Sequence, residues 1–312
     1  MTAFWLVAGL VVLTAGAEFL VRGGAALALR LRIRPLVVGL TVVAFGTSAP
    51  ELAVSIKAAL AGQGDVAAGN VIGSNIFNIA AILGLSALIL PLSVHAKLIR
   101  IDIPLMIGVT VVAIAMMWDR ALSRMEGLIL VASLLAYLWA TFRFTSRETP
   151  AIEEEASAEL PKPGRSVLLD IVMILGGLAA LVIGADLFVR GAIALAQWFG
   201  LSEAVIGLTI VAAGTSLPEL ATSVVAAFRR HTDIAVGNVV GSNIFNLLAI
   251  LGITGVIHPF STQNILAVDS ISMLLFAVLL FPLAATGFYL KRWEGAVLFG
   301  GYVVYIWYRL NI

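Results

Sequence analysis

The sequence predicts an all-α polytopic membrane protein whose ten transmembrane helices form two five-helix repeats of inverted topology. Composition is the first reason: hydrophobic residues make up 61% of the 312 residues, charged residues make up 12%, and the mean hydropathy is +1.07. Soluble domains average roughly 45–50% apolar and 25% charged residues. The second reason is a series of apolar windows of about 20 residues, the length at which a helix crosses a bilayer. The third is an internal repeat that relates the two halves of the chain.

Ten apolar windows, each bounded by charged or turn-forming residues, are predicted as spans. In order they are residues 3–25, 36–60, 66–90, 102–118, 124–143, 167–190, 203–228, 233–257, 268–287 and 294–310. The first window lacks the basic segment and cleavage site of a signal peptide, so we expect it to remain as a span. Only 144–166 is long and polar. The predicted organisation is a first repeat at 1–143, a cytoplasmic linker at 144–166 and a second repeat at 167–312.

Two polar motifs recur at a constant offset of 168 residues. Gly-Thr-Ser-x-Pro-Glu occurs at 46–51 and 214–219, and Gly-Asn-Val-x-Gly-Ser-Asn-Ile-Phe-Asn occurs at 69–78 and 237–246. Without any gap, 38 of the 68 positions in 17–84 are identical to their counterparts in 185–252. Shared hydrophobicity does not produce identity at this level, so the two halves are predicted to be copies of one unit.

The two copies are predicted to cross the membrane in opposite directions, because five spans separate each motif from its counterpart. Basic residues agree with this, since the cytoplasmic ends of spans carry an excess of Lys and Arg. Before its second span the first copy has Arg30, Arg32 and Arg34, where the second copy has Trp198, Gly200 and Ser202; after that span, Ala61 and Gly62 become Arg229 and Arg230. With these spans, 14 of the 19 Lys and Arg residues lie opposite the N-terminus. We therefore expect a protein of the plasma (inner) membrane with both termini outside.

The Gly-Thr-Ser-x-Pro-Glu motif is predicted to break a membrane helix. Pro50 and Pro218 each remove a backbone donor and crowd the carbonyl group four residues earlier. The carbonyl groups from Ala44 and Ala212 onward then become available as ligands, and broken backbone persists at membrane depth only where it lines a cavity or binds something. The same turn adds side-chain oxygens from Thr47, Ser48 and Glu51 in the first copy and from Thr215, Ser216 and Glu219 in the second. Oxygen donors of this kind suit Na⁺ or Ca²⁺ rather than soft transition metals.

The following span adds a second polar pair in each copy. Ser74 and Asn78 are four residues apart and share one helical face, and Ser242 and Asn246 repeat the arrangement. Because the copies are inverted, we expect Glu51 and Glu219 to converge near the membrane midplane. Their combined charge of −2 matches one Ca²⁺ ion.

Other polar residues have simpler explanations. Glu18 with Arg22, and Asp186 with Arg190, are four residues apart and are predicted to form structural ion pairs. Asp65 and Asp233 precede spans, where an N-cap role is expected. The absence of cysteine excludes disulfides and thiol chemistry. Neither a nucleophile–base pair nor a metalloprotease motif is present, and we expect no enzyme activity, no cofactor, no nucleic-acid binding and no obligatory protein partner.

At these motifs the chain resembles the cation/calcium exchanger superfamily, and specifically the prokaryotic sodium/calcium exchangers. The two α-repeats of that family resemble 36–84 and 204–252, and the ten-span layout extends the resemblance over the whole chain. The resemblance implies antiport of Ca²⁺ against Na⁺ in the lipid bilayer, with Glu51 and Glu219 as central Ca²⁺ ligands. It implies that overlapping Na⁺ and Ca²⁺ sites are completed by Thr47, Ser48, Ser74, Thr215, Ser216, Ser242 and the carbonyl groups of Ala44 and Ala212. Some members have aspartate where this chain has Asn246; with Asn78 also neutral, we expect no K⁺ co-transport.

Three alternatives stay open at the level of sequence. The two glutamates could titrate in a proton/Ca²⁺ antiporter, although protons do not require the hydroxyl groups of both Thr-Ser pairs. A passive channel is a second alternative, but inverted repeats with carboxylates at the midplane favour alternating access. An intramembrane enzyme is the third, and its motifs are missing.

Overall fold

The computed structural model describes residues 2–31, 33–145, 166–199, 212–263, 265 and 267–311. The helices are α1 (Thr2–Leu31), α2 (Pro35–Thr47), α3 (Ala49–Leu60), α4 (Gly64–Ile89), α5 (Leu98–Asp119), α6 (Arg124–Thr145), α7 (Val167–Trp198), α8 (Leu217–Phe228), α9 (Thr232–Ile257), α10 (Ala267–Ala285) and α11 (Arg292–Leu310). A single turn of helix, Ala212–Gly214, precedes α8. Four two-residue strands complete the regular structure: β1 (Leu92–Ser93), β2 (Ala121–Leu122), β3 (Phe260–Ser261) and β4 (Tyr289–Leu290).

The protein is a multi-pass membrane protein. Within the described ranges, seven helices are long and apolar enough to cross a membrane, and the bent pair α2–α3 makes an eighth if it forms one span. Residues 200–211, which include the start of the predicted span 203–228, and residues 146–165 of the predicted linker lie outside the described residues. Helices α1 and α7 extend six and eight residues beyond the predicted spans 3–25 and 167–190. The charged residues that interrupt both apolar runs therefore do not end the helices.

The expected N-cap role of Asp65 is wrong. Helix α4 begins at Gly64, so Asp65 lies inside the first turn and Gln63 occupies the cap position. Asp233 likewise follows the first residue of α9, Thr232. A carboxylate in the first turn still interacts favourably with the positive end of the helix dipole.

The helices form two compact units that cut across the two sequence repeats. Unit 1 consists of residues 1–47 and 138–238, and unit 2 consists of residues 48–137 and 239–312. Each unit therefore takes segments from both copies of the sequence repeat.

In unit 1, α1 and α7 pack along glycines spaced seven residues apart. The series is Gly9, Gly16 and Gly23 on α1, and Gly177, Gly184 and Gly191 on α7. A Cβ on Gly16 would lie 2.8 Å from the main-chain nitrogen of Leu181, and a Cβ on Gly184 would lie 2.6 Å from that of Leu13. Small residues of this kind let helix backbones approach closely in a membrane.

Several charged side chains of this helix pair form ion pairs. Arg30 on α1 forms an ion pair with the buried Asp170 on α7. The predicted pair of Glu18 with Arg22 is confirmed, and Glu18 also lies 2.6 Å from Arg229 at the end of α8. The second predicted pair, Asp186 with Arg190, is confirmed at 2.8 Å.

In unit 2, the four strands pair between the copies in a symmetric way. Strand β1 pairs antiparallel with β4, with Leu92 opposite Leu290, and β2 pairs antiparallel with β3, with Leu122 opposite Phe260. Adding or subtracting 168 converts the first register into the second. This exchange is the property of a two-fold relation, in which the same contact occurs once in each direction.

Candidate functional site

The first copy of the Gly-Thr-Ser-x-Pro-Glu motif lies at a break between two helices. Helix α2 ends at Thr47, α3 begins at Ala49, and the two axes differ by 43°. Ser48 connects them with φ −82° and ψ 4°, and Pro50 is the second residue of α3. Proline is tolerated there because the first turn of a helix has no internal partner for its N–H groups. The carbonyl end of α2 and the first turn of α3 therefore meet at Ser48.

The second copy forms the same local structure. The turn of helix Ala212–Gly214 is followed by Ser216 with φ −90° and ψ 9°, and Pro218 is the second residue of α8. These dihedral angles lie within 10° of those at Ser48. One sequence motif thus produces one backbone geometry twice.

Each break places a glutamate in the first turn of the following helix. Glu51 in α3 and Glu219 in α8 are buried, with 1% of each residue exposed. The positive end of the helix dipole stabilises a carboxylate at this position, while the carbonyl end of the preceding segment favours a cation. Such a break therefore offers both a stabilised carboxylate and cation-binding carbonyl oxygens.

An asparagine side chain from the next helix donates a hydrogen bond to the main-chain carbonyl oxygen of each glutamate. Asn70 Nδ2 donates to the carbonyl oxygen of Glu51 at 3.1 Å and to Ser55 Oγ at 3.0 Å, and Ser55 Oγ donates to the carbonyl oxygen of Ala67 at 3.4 Å. These bonds join α3 to α4 beside the buried carboxylate.

The second copy repeats that clamp at the same offset. Asn238 Nδ2 lies 3.4 Å from the carbonyl oxygen of Glu219 and 3.0 Å from Ser223 Oγ, which donates to the carbonyl oxygen of Ala235 at 3.4 Å. Asn238 Oδ1 also lies 3.2 Å from Thr47 Oγ1 in the same unit. Asn238 therefore contacts both Thr47, a predicted ligand of the first copy, and the main chain of Glu219 in the second copy.

The predicted asparagine ligands lie at π-helical segments. Asn78 belongs to the π-helical turn Phe77–Leu83 of α4, and Asn246 opens the π-helical turn Asn246–Ile250 of α9. Both residues are buried, with 1% exposed. Their Oδ1 atoms have no hydrogen-bond partner within the described part of the chain. Single π turns inside α-helices occur frequently at functional sites.

The predicted serine and threonine ligands are mostly buried. Thr47, Ser48, Ser74, Ser216 and Ser242 are each at most 4% exposed, and Thr215 is half-buried. Ser242 Oγ has no hydrogen-bond partner among the described residues. The Thr47 hydroxyl lies 3.1 Å from the carbonyl oxygen of Val43 and 3.3 Å from that of Ala44. Ala44 is fully buried, whereas only the backbone of Ala212 is described.

Each unit collects its own part of the predicted ligand set. Unit 1 contains Ala44, Thr47, Ala212, Thr215, Ser216 and Glu219, and unit 2 contains Ser48, Glu51, Ser74, Asn78, Ser242 and Asn246. In the described ranges no group of three or more His, Cys, Asp or Glu side chains could hold a metal ion. The available donors are therefore carboxylate, amide, hydroxyl and carbonyl oxygens, the ligand types that Na⁺ and Ca²⁺ accept.

Comparison with known families decides the class of protein. The family model described as sodium/calcium exchanger protein matches residues 1–143 and 169–311. The chain belongs to this family. It is accordingly a cation/Ca²⁺ antiporter of the membrane, because the family is one of transporters rather than of enzymes.

Proteins similar to this member of the sodium/calcium exchanger family align with nearly its full length. It is 38% identical to the inner membrane protein YrbG of Escherichia coli K12, over 96% of this chain and 94% of YrbG. It is 33% identical to the sodium/calcium exchanger MaX1 of Methanosarcina acetivorans, over 96% of both chains. Among solved structures, the sodium-calcium exchanger NCX_Mj soaked with 2.5 mM Na⁺ and 0.1 mM Ca²⁺ is 31% identical with a TM-score of 0.83, covering 98% of this chain and 97% of that chain.

Four asparagines of the hydrogen-bond networks in units 1 and 2 were not singled out by the motif argument. They are Asn70, Asn75, Asn238 and Asn243. A signal was present, since each is identical to its counterpart at an offset of 168 and each lies in an apolar span. Their hydrogen-bond partners come from other helices, and periodicity within one helix does not identify those partners.

Proposed function

We propose that the chain exchanges Ca²⁺ for Na⁺ by alternating access, with Glu51 and Glu219 as the carboxylates that bind the transported cations. The observation that carries this proposal is the burial of both carboxylates, each 1% exposed, at equivalent breaks in apolar helices. Ionisable residues inside membrane segments are costly and mark ion pathways. Family membership supports the same conclusion.

The proposed ligand set fits the coordination chemistry of the two ions. Ca²⁺ takes about 6–8 oxygen ligands from carboxylates, amides and carbonyl groups. Two carboxylates balance its charge, and the neutral ligands proposed are Ala44, Thr47, Ser48, Ser74, Asn78, Ala212, Thr215, Ser216, Ser242 and Asn246. The buried oxygens of Asn78, Ser242 and Asn246 that lack hydrogen-bond partners within the described ranges support this assignment, because a buried acceptor without a partner costs about 1–3 kcal/mol.

Coupling follows from the cost of burying charge. An ionised carboxylate removed from water costs several kcal/mol unless it is compensated. An empty carrier with two such groups therefore resists the closed intermediate, and a loaded carrier passes through it. Because Na⁺ and Ca²⁺ compete for the same oxygens, each crossing carries one ion type, and net transport is exchange.

The hydroxyl groups favour Na⁺ over H⁺ as the coupling ion. Protonation of Glu51 and Glu219 needs no surrounding oxygens, whereas Na⁺ needs several. Buried hydroxyl groups from Thr47, Ser48 and Ser216 are available beside the two breaks. A proton-coupled antiporter would leave these polar groups without a function.

Flux into proteoliposomes separates the two coupling ions. Purified protein is reconstituted, the membrane potential is clamped, and Ca²⁺ uptake is measured under an imposed Na⁺ gradient or an imposed pH gradient. We expect uptake to follow the Na⁺ gradient and to continue when choline replaces K⁺. Uptake driven by the pH gradient alone would establish the proton-coupled alternative, and uptake without any counter-ion would establish a channel.

We also propose that the ten predicted spans form two five-helix repeats of inverted topology, with both termini outside the cell and 144–166 in the cytoplasm. The distribution of the 19 Lys and Arg residues supports this orientation. The strand pairings that exchange under the 168-residue offset support a two-fold relation between the copies. The similarity to an inner membrane protein supports placement in the inner membrane.

A further inference from the structure

Four buried asparagines of unit 2 form two crossed pairs between the copies. Asn78 Nδ2 donates to Asn243 Oδ1 at 3.0 Å, and Asn246 Nδ2 donates to Asn75 Oδ1 at 3.1 Å. Each of the four is 1% exposed. Adding 168 to 78 gives 246, and subtracting 168 from 243 gives 75, so each copy supplies the residue that contacts the proposed ligand of the other copy.

The orientation of the Asn243 amide is fixed by a main-chain group. Asn243 Nδ2 donates to the carbonyl oxygen of Asn75 at 3.2 Å. A carbonyl oxygen can only accept a hydrogen bond, so the nitrogen of Asn243 must face it. The Oδ1 of Asn243 is then the atom that faces Asn78, and Asn78 must present its nitrogen to it.

The orientation of the Asn75 amide is fixed by a thioether. Asn75 Nδ2 lies 3.7 Å from the sulfur of Met273, which can act only as a weak acceptor. The Oδ1 of Asn75 therefore faces Asn246 and accepts its amide nitrogen. The nitrogen of Asn243 thus faces a carbonyl oxygen and the nitrogen of Asn75 faces a sulfur atom. In both pairs the amide oxygen is left to accept the hydrogen bond from the other copy.

As a result, the oxygens of Asn78 and Asn246 are directed away from the hydrogen-bonded pairs. Within the described ranges neither Oδ1 has a hydrogen-bond partner. Rotating either amide by half a turn would bring two oxygens together and would present an N–H group, which repels a cation. We propose that Asn75 and Asn243 are positioning residues, which hold the amides of Asn246 and Asn78 with their oxygens directed toward the transported cation. This inference rests on the proposed function of Asn78 and Asn246 as ligands.

A double-mutant cycle on Ca²⁺ affinity tests the role of Asn243. The dissociation constant for Ca²⁺ is measured by isothermal titration calorimetry on the purified full chain, for Asn243→Ala, Asn78→Ala and the double variant. Loss of one hydrogen bond, about 0.5–1.5 kcal/mol, predicts a dissociation constant about two- to tenfold higher for Asn243→Ala. Because Asn243 acts through Asn78, the same change should raise the constant less than about twofold in the Asn78→Ala background.

The equivalent cycle of Asn75→Ala with Asn246→Ala gives an independent measurement if one variant does not fold. Ser86→Ala is the matched control, because it removes another buried polar group of α4, one whose hydroxyl has no hydrogen-bond partner among the described residues. The Ca²⁺ affinity of this variant should match that of the unmodified protein. Unchanged affinity in both single variants, or effects that multiply in the double variants, would overturn the positioning role. Failure of the proposed function would appear as loss of Na⁺-driven Ca²⁺ uptake by the unmodified protein. Failure of the positioning role would appear only in the affinities of the variants, so the two failures are distinguishable.

Discussion

At the scale of single residues, the proposed mechanism depends on the burial of Glu51 and Glu219. Each carboxylate sits in the first turn of a helix, where the helix dipole offsets part of its desolvation. That contribution is about 0.3–1 kcal/mol at exposed positions and up to about 2 kcal/mol in partly buried ones, whereas the desolvation penalty is several kcal/mol. The dipole therefore offsets only part of this penalty, and in the proposed site a bound cation would offset more of it.

Replacing either glutamate with glutamine should abolish exchange without unfolding the protein. Glu51→Gln and Glu219→Gln each keep the side-chain shape and remove one of the two charges opposing Ca²⁺. Removal of one partner of a buried charge pair costs about 3–5 kcal/mol, so we expect Ca²⁺ affinity to fall by at least about 100-fold. Calorimetry and Na⁺-driven uptake measure the loss.

Glu126→Gln is the control for these two substitutions. Glu126 is half-buried, and at the start of α6 it accepts a hydrogen bond from the main-chain N–H of Ser123 at 2.8 Å, which glutamine can also accept. Its exchange activity should match that of the unmodified protein. Normal Ca²⁺ uptake by purified Glu51→Gln or Glu219→Gln would place the ion site elsewhere.

At the scale of helices, the close approach of α1 to α7 depends on the absence of side chains at one face. Gly177 faces α1, and a Cβ there would lie 2.7 Å from the main-chain nitrogen of Leu20. The neighbouring Gly176 is exposed, and a Cβ on it would meet nothing within 4 Å. Alanine substitutions at these two adjacent glycines therefore distinguish the effect of packing against α1 from the effect of helix propensity.

Gly177→Ala should destabilise the protein, whereas Gly176→Ala should not. Alanine favours a helix over glycine by about 0.8–1 kcal/mol, so Gly176→Ala is expected to be neutral or stabilising. Forcing a methyl group into a filled interface costs about 1–3 kcal/mol, and at Gly177 we expect this cost to exceed the gain in propensity. The midpoint of thermal unfolding in detergent should be lower for Gly177→Ala than for Gly176→Ala. Equal midpoints would show that α1 and α7 do not pack through this face.

Sequence predicted the elements better than it predicted their partners. The break at Ser48 follows from the Gly-Thr-Ser-x-Pro motif, because proline and glycine act locally. The extension of α1 to Leu31 was not predicted, because a charged residue such as Arg30 usually marks the end of an apolar span. The structure shows that Arg30 is paired with Asp170, which lies 140 residues away in the sequence. Asn75 was missed for the same reason: its partner Asn246 is 171 residues away. A short segment of sequence therefore predicts local backbone structure, but it does not predict buried hydrogen bonds to distant segments.

At the scale of the whole molecule, the contacts within unit 2 repeat between the copies. The pairing of Leu92 with Leu290 becomes that of Leu122 with Phe260 when the copies exchange, and the asparagine pairs obey the same rule. Within unit 2 the repeat is therefore symmetric in structure as well as in sequence. Inverted repeats give a carrier two conformations of similar free energy, in which the copies exchange roles.

Inverted topology makes a specific prediction about two loop positions that are equivalent in the repeat. Gln63 connects α3 to α4, and His231, its counterpart at the 168-residue offset, connects α8 to α9. The chain contains no cysteine, so Gln63→Cys and His231→Cys each introduce a single thiol. We expect a membrane-impermeant maleimide to label Gln63→Cys in intact cells, because that loop is predicted to lie outside. His231→Cys should be labelled only after the cells are permeabilised, because the adjacent Arg229 and Arg230 predict a cytoplasmic loop. Labelling of both positions from the same side would mean that the two copies cross the membrane in the same direction, and the proposed inverted repeat would be wrong.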